Sequence, residues 1–431
     1  MEWWGTLLIL FGVLMIVLFV GVPVAFSFML VNLVGLMFVF EGGRGLDLVG
    51  PGAGASITSF NLTPLPMFIL MGDLLSRSGV AQQVFRAADM WIGRLPGRLA
   101  VVTVVGGAFF GAMSGSGLAA TSVLGTVMIP ELERRKYKPA MSVAPVLGAS
   151  ALDPLIPPSI LVVLVAVQAK VSVGALLLMA TFAGVFMAAV FVVYFVARAM
   201  LQPHLAPAYV PEPVRLRERI LALRHLLVVG GMIAVVLGLI MTGTASPSES
   251  AALGAVAALV AVLVYRRFSF SLLRASLRAT VLTSGGILII FIGSTAYSQL
   301  LAASGASAGF VEWVVSLPLD PPLIALGMVV VVLILGTFID AISIILIAIP
   351  LFMPVIAALG LDPLWFTLLV LMSLEIGALT PPMGLQLFIL KGVQPHLKMG
   401  EIIRAAMPIV IMMWLGILVF WAFPGFSHVL R

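Results

Sequence analysis

The sequence predicts an all-α polytopic membrane protein with two inverted-topology repeats, and three observations carry this prediction. The 431 residues are 62% hydrophobic and only 9% charged, with a mean hydropathy of +1.23, so the chain cannot cover a soluble surface with charge. Many apolar runs reach the roughly 20 residues that a helix needs to cross a bilayer. Landmarks of the first half recur in the second half at a nearly constant offset.

The N-terminal stretch MEWWGTLLIL begins the first predicted span. No basic segment precedes its apolar run, which continues beyond the length of a signal-peptide core, so we interpret it as an uncleaved span. The net charge of +6 comes largely from short basic loops of the kind that orient spans, which favours a membrane role over nucleic-acid binding. The chain has no cysteine, which excludes disulfides and thiolate metal sites.

A re-entrant helical hairpin is predicted at about residues 99–133. The segment between the basic residues Arg98 and Arg134 is too short for two comfortable spans and has a Gly/Ser tip at Ser114–Gly117. A broken span at LDPLIPPSI (152–160) and a full span follow it.

The two halves of the chain meet at a polar, Pro-rich stretch. It covers residues 201–223, which we predict to be a cytoplasmic connection between a first half at 1–200 and a second half at 224–431. The second half contains a second predicted hairpin at about 321–357.

The offset between the halves is 224 to 226 residues. LLSRSG, ending at Gly79, resembles LLAASG, ending at Gly305 (305 − 79 = 226), and Pro157-Pro158 corresponds to Pro381-Pro382 (381 − 157 = 224). The loop after the first hairpin, ERRKYKP, is basic, whereas its counterpart AALGLDP has no Lys or Arg. By the positive-inside rule the first loop is cytoplasmic and the second is outside, so the repeats are inverted.

The two Pro-Pro pairs predict helices that break within the membrane. Proline has no N–H, so Pro381 should free the carbonyl of Gly377, and Pro157 should free that of Asp153. A new half-helix then begins after each break with a positive N-terminal end. Each break therefore offers carbonyls to a cation and a helix dipole to an anion, as in secondary transporters with inverted repeats.

Several segments together resemble the large membrane subunit of TRAP (tripartite ATP-independent periplasmic, DctM-like) transporters. They are LTPLPMFILMGDLL, FFGAMSGSGLAATSVLGTVMIPEL, GASALDPLIPPSI, GTFIDAISIILIAIPLFMP and GALTPPMGLQLFILKG. The resemblance implies an elevator-type, sodium-coupled secondary transporter of organic acids such as dicarboxylates, keto acids or sugar acids. It implies a small four-helix membrane subunit and an extracytoplasmic binding protein as partners, a multi-pass location in a bacterial or archaeal inner membrane, and no cofactor beyond sodium ions.

The resemblance also implies site residues. One sodium site would use Ser114 with the carbonyls of Gly148 and Ala151. The other would use the carbonyls of Gly336, Gly377 and Met383, with Thr380.

We expect the substrate cavity to contain Asp340, Ser116 and Ser159. Asp340 lies within the second hairpin, where a charge is costly and usually functional. Asp153 stands where the family commonly has a small residue, and we treat it as a candidate coupling residue. It either strengthens the first cation site, adds a proton-linked step, or is a solvated cap of the break.

Two alternatives to a binding-protein-dependent transporter remain open from the sequence. One is a stand-alone ion-coupled organic-anion carrier of the same superfamily, which a transport assay on the purified chain alone would identify. The more distant one is an intramembrane aspartyl protease using Asp340 with Asp153 or Asp73, which needs two acids that share a proton. The sequence lacks the GxGD motif of that class, so we predict that the chain is not an enzyme.

The inverted repeat makes a prediction about topology. A cysteine introduced at Lys136 should react with an impermeant thiol reagent only from the cytoplasm, and one at Leu361 only from outside. Labelling of intact and of inverted membrane vesicles measures this, and permeabilised vesicles provide the control. Labelling of both positions from the same side would contradict the inverted arrangement.

Overall fold

The computed structural model describes residues 2–39, 54, 58–93, 95–207 and 216–425. Within these ranges the regular structure is helical and no strand occurs, which confirms the all-α prediction. Residues 208–215 of the predicted connection lie outside the described residues, and the boundaries of the two halves stay predictions.

The helices of the first half range in length from four to 29 residues. Its described helices are α1 (Trp3–Phe19), α2 (Val24–Val39), α3 (Pro64–Arg77), α4 (Val80–Trp91), α5 (Arg98–Ser114), α6 (Gly117–Arg134), α7 (Pro139–Ser142), α8 (Ala144–Ala151), α9 (Ile160–Gln168) and α10 (Val173–Leu201). Short 3-10 turns lie at Phe60–Leu62, Asp153–Leu155 and Pro203–Leu205.

The second half has the same kinds of helix in a similar order. Its described helices are α11 (Leu216–Met241), α12 (Pro247–Val264), α13 (Phe270–Ala303), α14 (Ala306–Val315), α15 (Pro321–Gly336), α16 (Ala341–Ala358), α17 (Pro363–Leu379), α18 (Leu385–Val393) and α19 (Met399–Ala422).

Six helices among the described residues are long and apolar enough to cross a membrane, and a bent pair raises the number to seven. That pair joins Pro139–Leu155 to Ile160–Gln168 with a bend of 43°. Shorter apolar helices such as α1, with 17 residues, reach about 26 Å at 1.5 Å per residue. The chain is therefore a multi-pass membrane protein.

Matching turns mark corresponding places in the two halves. Gly79 (φ +75°) separates α3 from α4, and Gly305 (φ +76°) separates α13 from α14. The predicted hairpins correspond to the packed pairs α5/α6 and α15/α16, and both Pro-Pro peptide bonds are cis. This recurrence of element order supports the repeat, while the opposite orientation of the halves stays a prediction.

Two helices lie wholly inside the protein. Every residue of α8 is buried, and in α17 every residue from 364 to 377 is buried. Both segments are mostly apolar, with no continuous polar face, which is typical of a helix surrounded by other helices. Each of them leads into a Pro-Pro break; residues 157–160 of the first break are buried, whereas Pro382 and Met383 of the second are exposed.

A contact between two glycines holds α15 against α17. A Cβ atom added to Gly377 would lie 2.6 Å from the Cα of Gly336 and 2.7 Å from its carbonyl carbon. Real Cβ atoms do not approach backbone atoms so closely, so the two helices could not pack in this way with larger residues.

Gly377→Ala should therefore lower the free energy of unfolding by about 1 to 3 kcal/mol, because backbone atoms of both helices must move. Gly327→Ala is the matched control on α15, since a Cβ there meets nothing within 4 Å. Thermal unfolding of the purified protein in detergent measures both variants. Equal melting temperatures for Gly377→Ala and the wild type would contradict the close contact.

Candidate substrate and ion site

A cavity of about 180 Å³ lies where the tips of the two hairpins meet the two broken helices. Ser116 and Gly117 line it from the first hairpin, and Asp340 and Ala341 line it from the second. Its volume is below the ~300 to ~1,000 Å³ of drug-sized pockets, so it suits a small molecule. Among the described residues that line it, the charged ones are Asp340 and Glu375, and none is a Lys, Arg or His.

Four helices present their N-terminal ends to this cavity. The first residues of α6, α9, α16 and α18 all line it; they are Gly117, Ile160, Ala341 and Leu385. An N-terminal helix end has unpaired N–H groups and a partial positive charge, and it favours anions. The cavity therefore attracts a negative group through backbone dipoles rather than through basic side chains.

The residues that cap these four helices differ. Ser116 Oγ accepts a hydrogen bond from the Ala119 N–H at 3.4 Å, and the Asp340 carboxylate accepts bonds from the backbone N–H (3.1 Å) and the hydroxyl of Ser343. No side chain caps α18, where Gly384 occupies the cap position. The N–H groups of α18 are thus the ones least used by the protein itself.

Two of the three predicted substrate residues reach the cavity. Ser116 and Asp340 line it, as expected from their hairpin tips. Ser159 does not line it: this residue is buried, and its hydroxyl accepts from the Val162 N–H at the start of α9. We expected Ser159 at the cavity because it lies next to a Pro-Pro break, but its hydroxyl caps the N-terminus of α9 instead.

The second break differs in detail from the sequence-based expectation. The Gly377 carbonyl is not left without a partner, because the backbone N–H of Thr380 shifts by one residue and bonds to it at 3.0 Å. The Ile376 carbonyl, which loses that N–H, accepts from Thr380 Oγ1 at 2.6 Å instead. Thr380 thus closes the end of α17 with both its backbone and its side chain.

The first break frees more carbonyls than the second. Helix α8 ends at Ala151, before either proline of the pair. The amides of Leu152 and Leu155 bond to Ala149 and Leu152 instead of to the carbonyls of Gly148 and Ala151, four residues back. Those two carbonyls, predicted as ion ligands, therefore lack their usual helical partners.

The predicted ion-site residues fall into two separate neighbourhoods. Gly336 and Gly377 are in backbone contact, and the Gly384 N–H, next to Met383, bonds to the Thr337 carbonyl at 3.2 Å. The second set is therefore gathered around the end of α15.

The first set is more dispersed. Ser114 lies at the end of α5, where its hydroxyl bonds within the hairpin tip to the Gly111 and Ser116 carbonyls. The Cα of Gly148 faces Ile409 and Phe191, on the side of α8 that packs against α19 and α10.

Asp153 is enclosed by the first hairpin. Its side chain is 1% exposed, and a Cβ added to Gly111 would lie 3.2 Å from its Oδ1. Oδ1 has no hydrogen-bond partner among the described residues. The expectation of a solvated cap is therefore wrong, because the hairpin arm α5 covers this carboxylate.

Sequence reasoning missed a chain of three buried polar residues. Ser150 Oγ donates to Gln386 Oε1 at 3.1 Å, and Gln386 Nε2 donates to Glu375 Oε2 at 2.7 Å. All three are at most 4% exposed. The sequence offered one signal: two polar residues, Glu375 and Gln386, flank the second break within an otherwise apolar stretch.

A larger cavity of about 470 Å³ lies elsewhere, between α1, α14, α15 and α16. Its walls are apolar and aromatic, and they include Phe11, Phe310, Trp313 and Phe352. Without convergent polar groups it cannot select an anion, so the smaller cavity is the candidate site.

The chain matches a known protein family over most of its length. The family model of the tripartite ATP-independent periplasmic transporter, DctM component, matches residues 11–426. The chain belongs to this family. The resemblance drawn from the sequence segments is thereby confirmed.

Relatives and solved structures agree with this assignment. The C4-dicarboxylate TRAP transporter large permease protein DctM of Pseudomonas aeruginosa is 33% identical over 366 residues, which cover 83% of this chain and 82% of that protein. The sialic acid TRAP transporter large permease protein SiaM of Vibrio cholerae is 27% identical over 418 residues, with coverages of 96% and 95%. The structure of the Alcanivorax borkumensis YdaH transporter covers 90% of both chains with a TM-score of 0.62 at 16% identity, a likeness of fold alone.

As a DctM component, the chain is a transporter permease and not an enzyme. The described geometry agrees, because Asp73 pairs with Arg77 at 2.5 Å rather than with a second acid. The Asp340 carboxylate accepts a hydrogen bond from the Ser343 N–H and does not pair with a second acid among the described residues. The protease alternative therefore has no support.

The buried Ser150–Gln386–Glu375 chain makes a prediction about stability. Gln386→Met should lower the free energy of unfolding by about 1 to 3 kcal/mol, because Glu375 then stays buried without its donor. The double variant Glu375→Met/Gln386→Met should lose less than the single variant, since the unpaired carboxylate is removed as well. Thermal unfolding of these two variants and of Glu375→Met measures the coupling, and a loss in the double variant equal to the sum of the two single losses would show that the side chains do not depend on each other.

Proposed function

We propose that this DctM component is the translocating subunit of a sodium-coupled transporter that imports a small organic acid across the bacterial inner membrane. The observation that carries the proposal is the convergence of four helix N-termini on one cavity without a basic side chain among its described residues. Each N-terminus contributes about 0.3 to 1 kcal/mol to the binding of an anion at an exposed site, and more when it is partly buried. Such a site binds a carboxylate and lets it leave again, as transport requires.

The substrate is a small carboxylic acid in this proposal. The two relatives compared above are named for C4-dicarboxylate and for sialic acid, and both are carboxylic acids. A cavity of about 180 Å³ favours the smaller of the two classes. The Asp340 carboxylate, already bonded to Ser343, limits the negative charge that the α16 end can accept.

Sodium binds near both breaks in this proposal. The carbonyls of Gly148 and Ala151 lack their helical partners, and oxygen-only sites made from unwound backbone suit Na⁺. Near the second break, Thr380 Oγ1 uses its proton on the Ile376 carbonyl. Its lone pairs therefore remain available to a cation beside Gly336 and Gly377.

The partners in this proposal follow from the family description, which is that of a tripartite system. They are a small membrane subunit and an extracytoplasmic binding protein that delivers the substrate. Helices α11 and α13 offer the surface for a membrane partner, because only 28% of the apolar window of each is buried within this chain. The hairpin-bearing unit around α8 and α17 would move against these helices in an elevator mechanism.

Uptake by proteoliposomes tests the proposal. Candidate extracytoplasmic binding proteins from the same organism are first screened by thermal shift against an organic-acid library, and the ligand found is then used as substrate. Uptake should require a sodium gradient and all three proteins. Uptake by this chain alone would instead indicate the stand-alone carrier, and uptake that does not depend on sodium would contradict the coupling.

Thr380→Val keeps the shape of the side chain and removes its oxygen, so it should raise the sodium concentration for half-maximal uptake about tenfold. Thr380→Ser is the matched control, because it keeps the hydroxyl and should retain the sodium response. The same sodium response in Thr380→Val and the wild type would exclude Thr380 as a ligand.

A further inference from the structure

Two carboxylates lie buried beside the first hairpin without a basic partner. Asp153 is 1% exposed and Glu375 is 4% exposed. No Lys, Arg or His forms an ion pair with either of them among the described residues. Burying one unpaired charge costs several kcal/mol, so two neighbouring carboxylates need a compensating group.

The two carboxylates are neighbours across the backbone of Gly117. A Cβ added to Gly117 would lie 3.3 Å from Glu375 Oε2 and 3.2 Å from the Ser150 carbonyl oxygen. The negative charge of Glu375 repels the Asp153 carboxylate, and this carboxylate accepts a hydrogen bond from the Gly117 N–H of the hairpin. The start of α6 thus has a carboxylate on each side.

Hydrogen bonding distinguishes the two acids. Glu375 Oε2 accepts the amide N–H of Gln386, which is itself held by Ser150. Asp153 Oδ1 has no partner, although it is enclosed by Gly111. A buried, unpartnered carboxylate oxygen is the feature expected of a ligand that awaits a cation.

The neighbouring backbone supplies further oxygens. The amides that would bond to the Gly148 and Ala151 carbonyls bond elsewhere, and the Ser150 carbonyl stands four residues before Pro154, which has no N–H. The ligands on offer are therefore backbone carbonyls and the unpartnered Oδ1 of the Asp153 carboxylate. No group of three His, Cys, Asp or Glu residues suited to a metal ion occurs in the described ranges, which disfavours a divalent or transition metal.

We propose that Asp153 is the charged ligand of a sodium ion bound between the end of α8 and the first hairpin. The carbonyls of Ser150 and Ala151 complete its protein ligands, and the Glu375 carboxylate adds negative potential without binding the ion. This inference rests on the proposed function for its choice of sodium, and it adds an anionic ligand to a site otherwise made of neutral oxygens. The bound ion compensates the buried charge and fastens the hairpin to α8.

The proposal predicts a reversal of relative stability between two salts. In sodium-free choline chloride the wild type must either keep an uncompensated buried charge or protonate Asp153, and neither state is more favourable than a neutral amide, so Asp153→Asn should be at least as stable. In sodium chloride the wild type gains binding free energy that the variant lacks. A variant that merely damages packing would instead be less stable in both salts.

Thermal unfolding of the purified chain in detergent is measured across sodium concentrations at constant ionic strength, with choline chloride as the replacement salt. All variants are made in the Thr380→Val background, which shifts the response of the second site to about tenfold higher sodium concentrations. Asp153→Asn and Asp153→Gly should raise the sodium concentration for half-maximal stabilisation at least about tenfold. Asp320→Asn is the control, because this acid precedes α15 without capping it and is exposed.

The outcomes separate the inference from the proposed function. An unchanged sodium response in both Asp153 variants would overturn the role of Asp153 and leave sodium-coupled uptake intact. Absence of any sodium response in the Thr380→Val background would overturn this site, and its absence in the wild type as well would overturn sodium coupling itself. Stabilisation by sodium that is present in Asp320→Asn as in its parent, and is lost in both Asp153 variants, would establish Asp153 as the ligand.

Discussion

A backbone carbonyl or amide inside a bilayer has no water to bond, and this constraint organises the whole protein. The chain interrupts helices at two hairpin tips and two Pro-Pro segments, and each interruption leaves polar backbone that lipid cannot accept. All four interruptions face one another around a single cavity, because only there can protein, substrate or ions satisfy them. The wholly buried helices α8 and α17 exist to bring the Pro-Pro segments to that place.

The two breaks satisfy their backbone in different ways. At the second, Thr380 re-pairs the carbonyls of Ile376 and Gly377 with its own hydroxyl and amide, so the end of α17 is compact. At the first, α8 stops early and passes through a 3-10 turn, and carbonyls stay without their helical partners. The first break is therefore the more open to a ligand, and it is also where the unpartnered oxygen of Asp153 lies.

Composition and local pattern were sufficient to predict the all-α membrane class, and the predicted hairpins and broken helices coincide with two packed helix pairs and with helix ends beside both Pro-Pro pairs. Those features depend on hydropathy and on proline chemistry, which act over a few residues. The bond between Ser150 and Gln386 could not be predicted, because its partners are 236 positions apart and lie in different halves. The partner of the Gly377 carbonyl could not be predicted either, because a one-residue shift in the hydrogen bond of the Thr380 N–H supplies it.

The repeat is not chemically symmetric, although its elements correspond. At the offset of 224, Asp153 corresponds to Gly377 (153 + 224) and Glu375 corresponds to Ala151 (375 − 224), so the position equivalent to each acid holds a small residue. The Ser150–Gln386 bond has no counterpart either, since the equivalent positions are Leu374 and Val162. A duplicated scaffold has thus acquired polarity: its two pseudo-equivalent sides present different chemistry to a molecule between them. Such a molecule would be held in one orientation only, even though the surrounding architecture would accept it in two.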